Sequence, residues 1–158
     1  GLGNGLAIGA VVGREEMVES LRANSISTFG GNPLATTGAL ANLDFIEEEH
    51  LQENAYEVGA FLMRGLKDLE DRYEAVGEVR GKGLMIGVEM VTDGASKAPD
   101  PEAANRAMEA ARERGLLIGR GGLYGNVLRL SPPLTTTEEE AARAIETLDA
   151  AFGEVRDG

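Results

Sequence analysis

The most constraining feature of this chain is a long amphipathic stripe followed by an alternating apolar segment. Apolar residues between Leu51 and Tyr73 recur at steps of three and four, which predicts one helix with a single buried face. Residues 84–91 (LMIGVEMV) then alternate between two faces, as in a half-buried strand. From about Tyr56 onward the predicted order is helix, strands, helix, strands, helix, which indicates an α+β domain whose helices cover a small sheet. The stripe is formed by Leu51, Ala55, Val58, Leu62, Leu66, Leu69 and Tyr73.

Capping residues mark the other elements of this domain. Asp100 and Pro101 predict the start of a helix that Gly115 ends. A Thr137–Glu140 capping box predicts the start of a last helix, which Gly153 closes. Short strands are predicted at 116–119 and 127–131, where apolar runs are bounded by glycines and prolines.

Three further elements are predicted before this domain. Residues 6–12 (LAIGAVV) are apolar and bounded by glycines, which predicts a buried strand. Residues 14–22 are polar with apolar residues at helical spacing, and residues 33–48 predict a helix that starts at Pro33. The small residues of this last helix predict close packing against another element; they are Ala35, Gly38, Ala39 and Ala41.

Composition excludes several classes of function. The absence of cysteine excludes disulfides, zinc–thiolate sites and thiol nucleophiles, and the single histidine, His50, disfavours a histidine-rich metal site or a catalytic triad. The net charge of −12 disfavours nucleic acid and anionic membranes as partners, because phosphate neutralisation requires clustered Lys and Arg. No apolar run reaches the length of a membrane span, and we expect a cytoplasmic protein. Because the chain has no cysteine and one histidine, we also expect no metal site.

Residues 27–34 (STFGGNPL) combine hydroxyl groups, glycines and a helix start. Asn32 is a preferred N-cap residue, and Pro33 is favoured at the first helical position. The first helical amides would point back toward the two glycines, where a ligand can approach the backbone closely. Ser27 and Thr28 would add hydroxyl donors to a phosphate or carboxylate site. An ordinary capped helix after a tight turn is the alternative, and the segment alone leaves both readings open.

Arg129 is the second candidate for a binding residue. In residues 127–131 (VLRLS) it lies between two leucines that should face the core, so we expect it to point to the opposite face of the sheet. A planar guanidinium in this place offers a bidentate fork for a carboxylate. The alternative, which the pattern alone favours, is a solvated arginine on an outer face.

Four other residues have weaker functional interpretations. Lys82 lies between glycines, and we interpret it as part of a turn that leads into a strand. The alternative interpretation is a Schiff-base or phosphate-binding role. Arg120, followed by two glycines, has the same two readings, and a turn is again preferred. His50 is interpreted as a surface or helix C-terminal residue. Glu89 alternates with the buried residues of its strand, so we expect it to pair with a nearby arginine.

Several motifs, taken in order, resemble a known family. They are similar to the C-terminal part of class III aminotransferases, which depend on pyridoxal phosphate. The motifs lie at 1–13 (GLGNGLAIGAVVG), 27–41 (STFGGNPLATTGALA), 76–91 (VGEVRGKGLMIGVEMV), 115–122 (GLLIGRGG) and 126–135 (NVLRLSPPLT). Within the family, residues 50–54 (HLQEN), 57–59 (EVG) and 76–87 most resemble the alanine–glyoxylate aminotransferase 2 branch.

The resemblance implies the α/β architecture of fold-type I pyridoxal-phosphate transferases. Residues 1–55 would be the C-terminal part of the large cofactor-binding domain, and residues 56–158 a small α+β domain that closes over the substrate. It also implies a homodimer or higher homo-oligomer with the active site at the interface. Ser27 and Thr28 would bind the cofactor phosphate, with Thr28 reaching the neighbouring subunit, and Arg129 would receive the substrate α-carboxylate.

The resemblance also sets an expectation about the catalytic lysine. In the family, the Schiff-base lysine comes immediately before the segment that matches residues 1–5, and Lys67, Lys82 and Lys97 do not match it. We therefore expect no catalytic residue in this chain and no transamination by the chain alone. It would be a fragment, or one piece of a sequence that was divided at the lysine.

The full-length enzyme is expected to move an amino group between an amino acid and a keto acid. The resemblance favours alanine as the donor, with glyoxylate or pyruvate as the keto acid. One alternative within the family is 4-aminobutyrate or another ω-amino acid as the donor. The alternative from another class is a non-catalytic α+β binding domain, which a start codon close upstream of Gly1 would support.

Overall fold

The structure is a computed structural model that describes residues 1–23 and 26–157. The chain divides into two compact units, Gly1–His50 and Leu51–Gly158. The first unit contains helices α1 (Glu15–Val18) and α2 (Pro33–Glu48). The second unit contains, in order, α3 (Leu51–Arg72), β1 (Val76–Lys82), β2 (Met85–Met90), α4 (Pro101–Glu113), β3 (Gly119–Gly121), β4 (Val127–Leu130) and α5 (Glu138–Asp157).

The predicted strand at residues 6–12 is wrong. These residues form no strand, and the side chains of Val11 and Val12 are 91% and 98% exposed. A strand needs a neighbouring strand for its backbone hydrogen bonds, and the described residues of this unit contain none. Residues 6–12 therefore have the composition of a strand but no neighbouring strand with which to pair among the described residues of this unit.

The two helices of the first unit differ in how far they follow the sequence. Helix α1 has only four residues, much shorter than the predicted 14–22, because short helices are marginal without a packed face and its Met17 is 68% exposed. Helix α2 has the predicted bounds, and the small residues Ala35 and Ala39 are buried as predicted. Its Gly38 lies close to Leu6, since a Cβ atom there would be 2.3 Å from the Leu6 Cδ1 atom.

The second unit is built on a four-stranded antiparallel sheet in the order β1-β2-β4-β3. Helices α3 and α4 pack against one face of the sheet, and α5 packs on both of these helices. The predicted α3 stripe is confirmed, because its leucines and Val58 are buried, and all of these except Leu51 belong to the core that contains the inward residues of the strands. The outer face carries mainly polar residues and glycines, together with the exposed Met85, so the domain has the α+β form that the sequence predicts. The largest fully buried side chains include Leu62, Leu66, Leu69, Met90, Leu128, Leu148 and Phe152.

Two predicted boundaries in this unit are wrong. Strand β3 occupies Gly119–Gly121 rather than residues 116–119, and Leu117 is 83% exposed. Helix α5 continues past Gly153 to Asp157, because Phe152 and Val155 both remain buried on its inner face. Tertiary burial here outweighs the helix-weakening tendency of glycine, which is only about 1 kcal/mol. By contrast, Gly115 has the positive φ of +85° expected of a residue just after a helix.

Within the described ranges, no helix is both long and apolar enough to cross a membrane.

Candidate functional site

The loop before α2 presents its hydroxyl residues to solvent. Ser27 and Thr28 are exposed, and the Gly30 amide donates to the Ser27 carbonyl oxygen at 3.2 Å, which closes a tight turn. The Asn32 side chain caps the helix as predicted, because its oxygen accepts the Ala35 amide at 3.0 Å. The same side chain donates to the Phe29 carbonyl oxygen at 2.8 Å, so it ties the loop to the helix end.

Not all of the amides at the start of α2 are available to bind an anion at this loop. The Ala35 amide already donates to the N-cap, so the anion would depend more on the two hydroxyl groups and the positive end of the 16-residue helix. Gly31 leaves room for a ligand, because a Cβ atom there would have no other atom within 4 Å. Gly31 has a φ of +68°, which favours glycine in this position. The predicted anion site would therefore bind mainly through the Ser27 and Thr28 hydroxyl groups, because one of the helix amides already donates to Asn32.

Arg129 lies on the outer face of the sheet, as predicted from the alternation of β4. Leu128 and Leu130 on either side are buried, whereas Arg129 is exposed. Its neighbours across the sheet are Gly87 on β2 and Gly119 on β3, so no side chain stands beside it in the same row. Among the described residues, its guanidinium has no ion pair and no hydrogen bond.

The acidic residue Glu89 lies on the same face and is already bound by other groups. The predicted pairing of Glu89 with an arginine is confirmed, because Arg80 Nη1 lies 2.6 Å from its Oε2 atom. Its Oε1 atom accepts a hydrogen bond from Asn126 Nδ2 at 3.3 Å. The bond from Arg80, helped by that from Asn126, lowers the pKa of Glu89 against the opposing effect of burial. Each carboxylate oxygen therefore already accepts one hydrogen bond, which weakens Glu89 as a competitor for the guanidinium of Arg129.

Asn126 is a site residue that sequence reasoning missed. It is only 1% exposed, and its Nδ2 also donates to the Met90 carbonyl oxygen at 2.9 Å. The Met90 amide in turn donates to the Asn126 carbonyl oxygen at 2.7 Å. Asn126 thus fixes the start of β4 against the end of β2. The signal in the sequence was a polar residue directly before a buried strand, after Gly125, but its partners are remote in the chain.

The weaker candidates have structural roles. Lys82 ends β1 and pairs in register with Met85, so Gly83, with a φ of +55°, turns the chain into β2. Arg120 donates from Nη1 to the Pro101 carbonyl oxygen at 3.3 Å. His50 follows α2 with a φ of +49°, and its amide donates to the Glu47 carbonyl oxygen at 3.2 Å. These contacts support the turn predicted at Lys82 and the helix end predicted at His50, whereas the turn predicted at Arg120 is wrong, because Arg120 lies within β3 and pairs with Leu128.

A cleft of about 430 Å³ lies at the open end of the β3–β4 hairpin. It is bordered by the residues just before β3 and those just after β4, and Arg129 contributes to its wall. Most of the other lining residues are apolar: Leu116, Leu117, Ile118, Leu130, Pro132 and Pro133. The cleft therefore offers apolar contact beside a free cation. The described part of the chain contains no group of His, Cys, Asp and Glu residues suited to a metal ion.

Comparison with known proteins gives concordant results. Residues 1–152 match the family model described as Aminotransferase class-III. The chain is 44% identical, over 98% of its length, to the mitochondrial alanine–glyoxylate aminotransferase 2 homolog 2 of Arabidopsis thaliana, and covers 33% of that protein. It is 40% identical, over 100% of its length, to an alanine/serine racemase of Pyrococcus horikoshii, and again covers 33%.

The solved structures point the same way. An amine transaminase from an uncultivated Pseudomonas species, in its PLP-bound form, matches with a TM-score of 0.76 and 42% identity over 85% of this chain and 30% of that one. The chain thus spans about a third of the length of the relatives it matches. The predicted fold class, a fold-type I pyridoxal-phosphate transferase, and the resemblance to the alanine–glyoxylate aminotransferase 2 branch are confirmed. The chain belongs to the class III aminotransferase family.

Proposed function

We propose that the full-length protein containing this chain is an aminotransferase that uses alanine as the amino donor and glyoxylate or pyruvate as the keto acid. The observation that carries the proposal is the Arg129 guanidinium, which is exposed beside two glycines and has no partner among the described residues. A guanidinium presented in this way can bind an α-carboxylate through two parallel hydrogen bonds. The relatives named for alanine and glyoxylate support the choice of substrates.

Pyridoxal phosphate is the cofactor that the family implies, and the loop before α2 fits its phosphate end. The Ser27 and Thr28 hydroxyls are exposed, and Gly31 leaves the approach to the helix end open. We propose that these two residues bind the phosphate, with Thr28 reaching the cofactor of the other subunit in a homodimer. When bound, the cofactor supplies an electron sink for the bond that breaks at the substrate α-carbon. Arg129 would hold the carboxylate, and hence that carbon, in a fixed orientation.

The lysines of this chain do not suggest a Schiff-base role. Lys67 forms an ion pair with Glu70 at 2.7 Å, and Lys97 donates to the Gly77 carbonyl oxygen at 3.2 Å. Lys82 stands at the end of β1 in a turn. We propose that the chain alone does not transaminate and that the lysine is encoded just before Gly1. Expression of the chain alone and of the full-length protein, each assayed with pyridoxal phosphate, tests this directly.

The proposal is tested by Arg129→Ala in the full-length protein. Removing a charge-assisted interaction worth about 1.5–3 kcal/mol should raise KM for alanine about 10- to 150-fold. The absorbance of the bound cofactor should not change. Thr28→Val should do the reverse, weakening cofactor binding while KM of the loaded enzyme for alanine holds. Arg112→Ala is the matched control, because Arg112 is an exposed arginine on α4, which packs on the opposite face of the sheet.

Two results would contradict the assignment of Arg129. Loss of cofactor with unchanged affinity for alanine would place Arg129 in the cofactor site instead. Equal effects of Arg129→Ala and Arg112→Ala would mean that only net charge matters.

The choice between reactions needs a panel of donors and a chiral product analysis. Preference for 4-aminobutyrate or another ω-amino acid over alanine would support the ω-amino acid alternative. Formation of D-alanine without a keto-acid product would instead indicate racemisation, as in the name of the Pyrococcus relative. Failure of the full-length protein to bind pyridoxal phosphate or to transaminate would support the non-catalytic binding domain.

Three further parts of the proposal concern the whole protein. We propose that residues 1–55 complete a large cofactor-binding domain and residues 56–158 form a small domain, supported by the compact unit that begins at Leu51. We propose a homo-oligomer with the active site at the subunit interface, which sedimentation of the full-length protein tests. A cytoplasmic location stays a prediction, and cell fractionation decides between it and the mitochondrial location named for the plant relative.

A further inference from the structure

The side chain of Arg129 leans toward one edge of the sheet. A Cβ atom at Gly121, on the edge strand β3, would lie 2.8 Å from the Cδ atom of Arg129, 3.7 Å from Cγ and 3.8 Å from Nη1. On the other side, a Cβ atom at Gly87 would have no atom of Arg129 within 4 Å. The aliphatic part of Arg129 therefore lies across the bare backbone of Gly121, whereas a Cβ atom at Gly87 would meet Val127 Cγ1 at 3.1 Å and no part of Arg129.

The two outward glycines of β3 differ in their relation to this arginine. Gly119 is directly opposite Arg129 in register, yet a Cβ atom there would lie 3.8 Å from the Cβ atom of Arg129, an ordinary contact. At Gly121 the same addition collides with the flexible part of the side chain. Neither glycine has a positive φ, so alanine fits the backbone at both places. A methyl group at Gly121 would thus displace Arg129 rather than the strand.

The displaced side chain would have an alternative partner. Movement away from β3 takes Arg129 toward β2, where Gly87 has no side chain and Val127 is the nearest side chain above it. Glu89 is the diagonal neighbour of Arg129 on that strand, since Gly87 pairs with Arg129 and Glu89 with Val127. Diagonal neighbours lie about 7–8 Å apart, within reach of an arginine and a glutamate side chain. A guanidinium on this side would be drawn to the carboxylate of the protein and away from that of a substrate.

We propose that Gly121 is a positioning residue that holds Arg129 at the β3 edge of the sheet and thereby selects amino donors that carry an α-carboxylate. The inference rests on the proposed function, since it assumes that Arg129 receives this group. Gly121 has no side chain, and its effect on substrate binding comes only from the space that it leaves for the side chain of Arg129. It sets the affinity for the carboxylate and has no part in the chemical step.

The test is a double-mutant cycle in the full-length protein. Gly121→Ala is expected to raise KM for alanine about tenfold, the loss of a single charged hydrogen bond, with kcat little changed. In the Arg129→Ala background the same substitution should have no further effect on KM. Gly153→Ala is the matched control and should leave KM within about twofold, because it adds a methyl group in ordinary contact on α5, which packs on α3 and α4 rather than on the sheet.

A crystal structure of Gly121→Ala gives a readout independent of activity. It should show the Arg129 guanidinium moved from β3 toward β2, whereas Gly119→Ala should leave it in place. An unmoved Arg129 with an unchanged KM, or an equal rise in KM in the Arg129→Ala background, would overturn the positioning role. If the wild-type protein does not transaminate, the proposed function fails, and the crystal structure still decides whether Gly121 sets the position of Arg129.

Discussion

The approach of α3 to the β1–β2 turn predicts that Gly59→Ala destabilises the second unit. A Cβ atom at Gly59 would lie 2.3 Å from the carbonyl carbon of Gly83, 2.4 Å from its oxygen and 2.6 Å from its Cα atom. Carbon atoms in favourable contact are about 3.5–4.0 Å apart. The obstacle is backbone and cannot rotate away, so helix and turn would have to separate by about 1 Å.

Two opposing effects set the magnitude. Replacing glycine by alanine inside a helix stabilises it by about 0.5–1 kcal/mol. Overpacking costs about 1–3 kcal/mol, and contact with backbone places Gly59 at the upper end of this range. The net expectation is a loss of about 2 kcal/mol. Gly153→Ala is the matched control, because its Cβ atom would meet only the Tyr73 hydroxyl at 3.8 Å, so the helix gain should remain.

Hydrogen exchange followed by mass spectrometry measures both variants in the full-length protein. A loss of about 2 kcal/mol in the free energy of local opening corresponds to about 30-fold faster exchange in peptides from α3 and the β1–β2 hairpin. Gly153→Ala should slow exchange in α5 about two- to fivefold. Wild-type exchange in Gly59→Ala would refute the reasoning, because it would mean that α3 and the turn are not in backbone contact.

Three other outcomes follow from local contacts. Asn32→Ala should cost the first turn of α2 about 1 kcal/mol while Asn32→Asp keeps most of the cap, as seen by hydrogen exchange at that turn. The pKa of Glu140 lies below its ordinary 4.5 because the backbone amide and hydroxyl of Thr137 donate to it. A carboxyl whose pKa is lowered by folding stabilises the folded state above its unfolded-state pKa, and this stabilisation is lost as pH falls through the folded-state pKa. Protection from hydrogen exchange at the start of α5 should therefore decrease once the pH is lowered past about 4.5. Glu140→Gln should remove this pH dependence. Bonds from the side chain and backbone of Ser96 lower the pKa of Asp93 to about 2, and Ser96→Ala should raise it toward 3.8 in a carbon NMR titration of the carboxyl.

Sequence reasoning succeeded where a feature depends on residues within one or two turns of each other. The N-cap at Asn32, the capping box at Thr137 and the C-terminal glycine at Gly115 all form with neighbours a few residues away. The α3 stripe also follows from local spacing, because any helix with that period has one apolar face to bury.

Sequence reasoning failed where an element depends on a distant partner. Residues 6–12 have strand composition, but whether they form a strand depends on another strand to pair with. Residues 116–118 are more apolar than β3 itself, yet the register with β4 places the strand at Gly119–Gly121. At Gly153 the burial of Val155 decides that α5 continues, and this burial depends on packing with other elements.

The candidate site shows the same division in its chemistry. The alternation of β4 predicts that Arg129 points outward, but an outward arginine is available to a ligand only if no carboxylate of the protein binds it first. That condition depends on Arg80 and Asn126, which lie 9 and 37 residues from Glu89 along the chain and each donate to one of its oxygens. Freeing Glu89 should therefore weaken carboxylate binding at Arg129 even though neither contact involves Arg129. Availability of the cation is thus a property of the whole outer face of the sheet, and no single motif in the sequence encodes it.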